Sequence, residues 1–374
     1  AMSPNLSGTA TGLFLAETEV ISSLKPQQLQ ASKKSQGPHY EWQIVWRNVL
    51  GFVYLHVGAL YGLYLAFTVG KSYTTLWAIF YASLGAMGIT AGAHRLWAHK
   101  SYKAKWQLRL LLTIFQTIAF QNHVFEWVRD HRVHHKFTDT DADPHNSKRG
   151  FFFSHIGWLM VKKHADVKAK GKAVDMGDME KDWVVMFQKK YYMIVMPVFC
   201  FAIPTMVPIY LWNEAVWNAW YIAGVLRYTL SLNGTWLVNS AAHIWGTKPY
   251  DKNISPSENL SVAIVAFGEG WHNYHHAFPW DYKTSEFSGY KFNFTTAFID
   301  LFARIGWAYD LKTAPLDMIE KRANRCGDGS RKMLYSNKKE KHRHSHIGEV
   351  WGWDDQDMTT EERQMAEIIH KKEN

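Results

Sequence analysis

The chain has 374 residues, a formal net charge of +9, 47% hydrophobic residues and a mean hydropathy of −0.26. Its 18 Trp, 18 Tyr and 21 Phe favour a membrane interface, so the low mean hydropathy indicates that polar and apolar segments are separated along the chain. The basic charge suits an anionic membrane surface or a nucleotide ligand, but no helix-turn-helix, RNA-recognition or zinc-finger motif accompanies it. We therefore predict no nucleic-acid partner. The two cysteines, Cys200 and Cys326, argue against a disulfide framework.

Polar residues of mixed charge dominate positions 1–45, which predicts a flexible cytosolic arm. Four apolar stretches follow, each about long enough to cross a bilayer as a helix. They cover residues 49–70, 75–93, 193–212 and 216–238. Short turns join them into two hairpins, and nearly all Lys and Arg lie outside the hairpins, so both termini are predicted to be cytosolic. Buried helices of a large soluble protein are the competing interpretation.

Two features of this arrangement stand out. Arg227 lies inside the fourth stretch, where an ionised side chain is costly, and the sequence assigns it no role. The segment 331–346 is strongly basic and rich in histidine, within a tail from 313 to 374 that we expect to be flexible or to end in a lightly packed helix. The predicted fold is an all-α membrane protein: four transmembrane helices in two hairpins, with a cytosolic helical cap formed by 94–192 and 239–312.

Nine of the 19 histidines fall in four short groups that follow the predicted spans or the segment between them. They are His94 and His99 in H-R-L-W-A-H, His131, His134 and His135 in H-R-V-H-H, His243 in N-S-A-A-H, and His272, His275 and His276 in H-N-Y-H-H. Residues three or four apart share one helix face and can present imidazoles to a common point. Nine imidazoles exceed the ligands of one zinc site, so the pattern predicts a two-metal centre that could hold iron, zinc or copper.

One spacing does not fit a regular helix. His94 and His99 are five residues apart and diverge by about 140° on an α-helix. They need a bend or a helix end between them, or they bind different metals. The isolated histidines are given no ligand role: His39, His56, His123, His145, His155, His164 and His370.

These boxes, together with G-E-G-W-H-N-Y-H-H-A-F-P-W-D-Y, resemble those of membrane-bound acyl-CoA desaturases of the stearoyl-CoA desaturase type, and of insect members in particular. The similarity runs from residue 46 to 311 and defines a desaturase domain over 46–312. It implies that the nine histidines hold two irons, with Asn239 contacting the centre through a water. It also implies O2 as co-substrate, electrons from NADH through a reductase and cytochrome b5, a long-chain fatty acyl-CoA substrate and the endoplasmic reticulum membrane.

The resemblance also implies a substrate path. Trp127, Thr235 and Trp236 would line a bent acyl tunnel, with Ala82 and Ala86 near its closed end. Polar and basic residues would hold the nucleotide: Asn48, Asn122, Arg129, Asp130, Lys162 and Lys163. Simple packing is the alternative role for the first three, and anchoring at the membrane surface is the alternative for the two lysines.

Other functions fit the same histidine pattern. A hydroxylase, acetylenase or conjugase on the same scaffold would keep all the boxes. A zinc-binding receptor or transporter with four spans would need a polar pathway through them, whereas the ionisable residues there amount to His56 and Arg227.

Overall fold

The computed structural model describes residues 42–286, 290, 292–331 and 349–372. Most of the predicted N-terminal arm and most of the basic run after Arg331 lie outside these residues. The chain divides after Trp42, and every element below belongs to the part that begins at Gln43.

The described helices are α1 (Trp46–Thr68), α2 (Ser72–Met87), α3 (Trp106–Ala119), α4 (Val124–Lys136), α5 (Phe151–His155), α6 (Ala165–Ala173), α7 (Gly177–Lys181), α8 (Trp183–Pro197), α9 (Ile203–Trp212), α10 (Val216–Ala219), α11 (Arg227–Asn239), α12 (Ala241–Ile244), α13 (Leu260–Val265), α14 (His272–Ala277), α15 (Phe294–Arg304), α16 (Leu316–Cys326) and α17 (Thr360–Met365). Gly88–Ala98, Val198–Ala202 and Trp220–Leu226 are π-helical, and Ser147–Arg149 and Gly157–Leu159 are 3₁₀ turns. The strands are β1 (Lys103–Ala104), β2 (Ala308–Tyr309), β3 (Leu311–Thr313) and β4 (Glu367–Ile369).

Three helical runs in the described residues are long and apolar enough to cross a membrane: Trp46–Thr68, Ser72–Ala98 and Trp183–Trp212. Large apolar side chains on α1 face outward, since Leu60 is 70% and Phe67 is 85% exposed. A continuous exposed apolar face of this kind marks contact with lipid or with another protein. These runs contain most of three of the four predicted spans.

The fourth predicted span, 216–238, is also helical, but the run Val216–Asn239 is not among those apolar enough to cross a bilayer. It contains polar residues, including Asn218, that are buried against neighbouring helices. Helix α1 packs closely on it: a Cβ added to Gly62 would lie 2.3 Å from the backbone oxygen of Tyr221. Small residues four apart, Gly58 and Gly62, allow two helices to approach in this way.

Arg227, whose role the sequence left open, is buried within this run. Its guanidinium donates to the carbonyl oxygen of Cys200 at 2.5 Å, and more weakly to that of Ile118 at 3.4 Å. In an α-helix the Cys200 carbonyl oxygen would accept from the N–H of residue 204. That residue is Pro204, which has no N–H, so the oxygen lacks this usual donor. Backbone acceptors from two other helical segments therefore surround this charge.

The described part of the segment predicted as a tail is folded. Strand β4 pairs antiparallel with β3, while β1 pairs antiparallel with β2. Trp351 and Val350 are buried, and Val350 packs in one core cluster with Tyr274, which lies within the last histidine box, and with Trp280, which follows it. This differs from the expected flexible or lightly packed tail, because these apolar side chains find partners in the cap that are distant in sequence.

Candidate metal centre

The spacing of His94 and His99 is explained by the type of helix they occupy. Residues Gly88–Ala98 are π-helical, and the His99 N–H donates to the His94 carbonyl at 3.1 Å. Hydrogen bonds between residues five apart place such residues in successive turns. The two imidazole centroids lie 4.7 Å apart, so both side chains belong to one group.

The first cluster, called the five-histidine group, combines the first box with parts of two others. Its members are His94, His99, His131, His135 and His275, whose ligand nitrogens lie within 4.8 Å of one another. The Nε2 atoms of His99 and His131 are 2.9 Å apart, and those of His94 and His275 are 3.0 Å apart. Helix α4 supplies His131 and His135 from one face, and its first turn is capped by His123, whose Nδ1 accepts from the Glu126 N–H.

The second cluster, called the four-histidine group, lies beside the first. It consists of His134, His243, His272 and His276, again within 4.8 Å. Burial first, and repulsion by neighbouring histidines second, hold the pKa values of His135, His243 and His276 well below the usual value. These imidazoles are therefore neutral at physiological pH, which is the form that binds a metal ion.

A carboxylate stands behind each group. Glu269 Oε2 lies 2.9 Å from His94 Nδ1, and its other oxygen lies 2.8 Å from the Arg95 guanidinium. Burial alone would raise the pKa of Glu269, but the charges and hydrogen bonds of Arg95 and His94 together outweigh burial and lower the pKa to about 2. Asp143 Oδ1 accepts from His134 Nδ1 at 2.9 Å.

The sequence missed part of this outer layer. His145 was given no ligand role, yet its Nδ1 lies 3.4 Å from Asp143 Oδ1 and its ring centroid lies 4.4 Å from that of His134. His134, Asp143 and His145 thus form a third cluster with metal-ligand spacing. The only signal was an Asp and a His two residues apart in a loop, which has no periodicity to indicate where the side chains point.

Two cavities meet at the histidines. The smaller, of about 310 Å³, is lined by predicted substrate residues Ala82, Ala86, Trp127 and Thr235 and by His94, His131, His134 and His272. The larger, of about 730 Å³, is lined by predicted residues Asn48, Asn122, Trp127, Asp130, Thr235 and Trp236. Asn239 lines both cavities, which gives it access to the space beside the two histidine groups.

The remaining predicted nucleotide residues, Arg129, Lys162 and Lys163, do not line the larger cavity. Arg129 contacts Asp130 at 2.8 Å and Glu126 at 3.1 Å, and Lys163 forms ion pairs with the same two carboxylates. Glu126 and Asp130 both line the cavity. Lys162 is exposed and its backbone N–H donates to the Gln43 carbonyl.

Comparison with known proteins identifies the family of the chain. Residues 71–286 match the sequence profile of the fatty acid desaturase family. The chain is 58% identical to an Acyl-CoA Delta-9 desaturase of Acheta domesticus over 99% of both chains. It is 58% identical to a (11Z)-hexadec-11-enoyl-CoA conjugase of Bombyx mori over 78% of this chain and 88% of that one, and 55% identical to a Stearoyl-CoA desaturase of Homo sapiens over 80% and 83%.

The chain belongs to the fatty acid desaturase family, and it is an oxidoreductase of that class. The resemblance inferred from the histidine boxes, to insect desaturases and to the stearoyl-CoA type, is confirmed.

Proposed function

We propose that the protein is a fatty acyl-CoA desaturase that introduces a double bond into a long acyl chain at a di-iron centre held by its nine clustered histidines. The observation that carries the proposal is the position of two buried histidine groups at the junction of two cavities. Iron at these two positions would, together with O2, provide the oxidant that is needed to remove hydrogen from an unactivated methylene.

The residues present fit two metal ions. Both groups consist of imidazoles, and nitrogen donors suit iron among the transition metals. The Nε2 atom of His276 is buried with no hydrogen-bond partner among the described residues. An unpartnered buried polar atom costs about 1–3 kcal/mol, which a bound metal would offset. Asn239 would complete the set through a water.

The two cavities fit the two parts of the substrate. The smaller has an apolar lining that includes Ala82, Ala86 and Ile89, and would take the methyl end of the acyl chain. The larger would take the rest of the chain, with the nucleotide at the rim near Lys163 and the exposed Lys162. Phosphates of the nucleotide would compete with Asp130 and Glu126 for Lys163, whose ammonium pairs with both carboxylates.

Residues at the junction would fix which carbon atoms face the histidines. Gln121 donates from Nε2 to Thr235 Oγ1 at 2.8 Å, and Trp127 Nε1 donates weakly to Gln121 Oε1 at 3.4 Å. Gln121, Trp127, Thr235 and His131 line both cavities. A hydrogen-bonded wall at this point would bend the acyl chain beside the metals and exclude water from the reacting methylenes.

The membrane arrangement proposed is four spans in two hairpins in the endoplasmic reticulum, with both termini cytosolic. Ser72–Ala98 and Val216–Asn239 both end at the histidine groups, which supports their running through the membrane side by side. This side of the membrane would also receive cytochrome b5, which carries electrons from NADH through its reductase.

One variant from each group tests the proposal. His134→Ala and His275→Ala, expressed in a yeast strain lacking its own desaturase, should abolish the unsaturated product and lower the iron content. His164→Ala, outside both groups, is the control and should retain both. Intact oxidation in either histidine variant, or an active wild-type protein without iron, would refute the proposal.

A second candidate is a conjugase acting on an existing double bond, since the relative from Bombyx mori carries that name. Feeding the same yeast strain saturated and monounsaturated acyl chains separates the two, because a conjugase gives a conjugated diene from the second substrate and no product from the first, whereas a desaturase gives a monounsaturated product or a diene whose double bonds are not conjugated.

A further inference from the structure

The C-terminal segment supplies an atom to the five-histidine group. The Trp351 carbonyl oxygen lies 2.5 Å from His99 Nδ1, and the Trp353 N–H donates to the His99 carbonyl at 3.0 Å. His99 is completely buried. These two bonds hold both the ring and the backbone of one histidine, although they come from a segment more than 250 residues away in sequence.

The contact depends on a glycine. A Cβ added to Gly352 would lie 2.5 Å from the His99 carbonyl oxygen and 2.8 Å from His99 Cα, distances that side chains do not tolerate. The obstacle is backbone, so it cannot rotate away. A residue with no side chain is therefore required where the segment crosses His99.

Contacts with charged side chains hold the segment 351–355 against its neighbours. The Arg132 guanidinium lies 4.3 Å from the Trp351 ring centroid, within the range of a cation–π contact. Asp355 accepts from the Trp351 N–H at 2.6 Å and pairs with Lys136 at 2.7 Å. Lys100, next to His99, pairs with Asp354 at 2.8 Å. Residues 351–355 are thus anchored to the two elements that carry His99 and His135.

The carbonyl contact has a chemical consequence at the other ring nitrogen. When Nδ1 donates its proton to a carbonyl, Nε2 is left with a free lone pair, and the ring cannot rotate without breaking the bond. His99 Nε2 points into the five-histidine group, 2.9 Å from His131 Nε2. The outer partner of His99 is therefore a backbone atom of the tail, whereas His94 and His134 have carboxylates.

We propose that residues 351–355 form a positioning strap, in which the Trp351 carbonyl fixes His99 as a ligand for one of the two metals and Gly352 permits the approach. This rests on the proposed di-iron function. Because the four-histidine group contains no residue held by the strap, the strap acts on one metal site and not on the other.

The test measures iron release rather than turnover. Wild-type protein and Gly352→Ala are loaded with iron, and the release of each iron to an excess of chelator is followed by absorbance. Loss of an outer partner typically weakens metal affinity by about 10–100-fold. We expect one of the two irons of Gly352→Ala to leave about 10–100-fold faster than in the wild type, with the other unchanged.

Two further variants make the result decisive. Gly171→Ala, on α6, places a methyl in ordinary contact with the Arg129 side chain and should retain both irons as the wild type does. If Gly352→Ala fails to fold, Asp355→Asn weakens the same anchor without adding atoms and should show the same selective loss to a smaller extent. Equal release of both irons, or of neither, overturns the strap; a wild-type protein that binds no iron overturns the proposed function instead.

Discussion

Changing Asp143 to Asn should weaken one metal site and leave the other intact. Asp143 is only 2% exposed, and Oδ1 accepts from His134 Nδ1 at 2.9 Å while Oδ2 accepts from the Asp139 N–H at 2.9 Å. Asparagine has one carbonyl oxygen, so its amino group would face one of these two donors. His134 would lose either its fixed orientation or the charge behind it. Outer carboxylates are worth about 10–100-fold in metal affinity, or about 1.4–2.8 kcal/mol.

The assay is a titration of metal-free protein with ferrous iron against a competing chelator. The variant should bind one iron as tightly as the wild type, because the five-histidine group relies on Glu269, and the second about 10–100-fold more weakly. Glu214→Gln is a matched control: this buried carboxylate accepts from the Thr74 hydroxyl at 2.6 Å and from the Lys71 N–H at 2.8 Å, beside the start of α2 and a full helix away from His94. It should lower the melting temperature without separating the two iron affinities. Equal weakening of both sites in Asp143→Asn, or of neither, would refute the reasoning.

Three more predictions follow from single positions. Ala86→Tyr should fill the smaller cavity and shift the products toward shorter acyl chains, by roughly 10-fold or more per displaced methylene, as measured by gas chromatography. Burial raises the pKa of Glu258 from 4.5 to about 8. The free energy of unfolding therefore falls as pH rises between these values, by up to about 1.4 kcal/mol per pH unit. The melting temperature of Glu258→Gln should exceed that of the wild type by a margin that grows from pH 6 to pH 8, and a constant margin would contradict this. Gly62→Ala should cost about 1–3 kcal/mol in thermal unfolding because its methyl meets the Tyr221 backbone, whereas Gly51→Ala on the same helix meets nothing within 4 Å and should not destabilise the protein.

The spacing of residues in the sequence was sufficient to predict which side chains share one face of a helix. The spacing in H-R-V-H-H predicted that His131 and His135 share a face of α4, and they lie in the same group. The same reasoning did not predict that His134 would face the other group from the neighbouring side of that helix. Side chains on two sides of one helix can belong to two different metal sites, and the sequence does not say which site each side of the helix faces.

Features that depend on hydrogen-bond pattern or tertiary contact were harder to predict. The run from Gly88 to Ala98 contains no residue that distinguishes a π-helix from an α-helix, so the relation of His94 to His99 was left open. The helix Val216–Asn239 is less apolar than the other three long helices because neighbouring helices cover its polar side chains, as they cover Arg227. Trp351 and Trp353 were visible as apolar residues in a polar tail, but their partners lie far away in sequence.

The strap also sets an order of events during synthesis. Chains leave the ribosome from the N-terminus, and residues 351–355 come well after His276, the last histidine of the two groups. All nine histidines of the two groups are synthesised before this segment. If residues 351–355 position His99 as proposed, His99 would lack its carbonyl partner until that segment has been made, so a nascent chain would hold all nine histidines before the orientation of His99 is fixed.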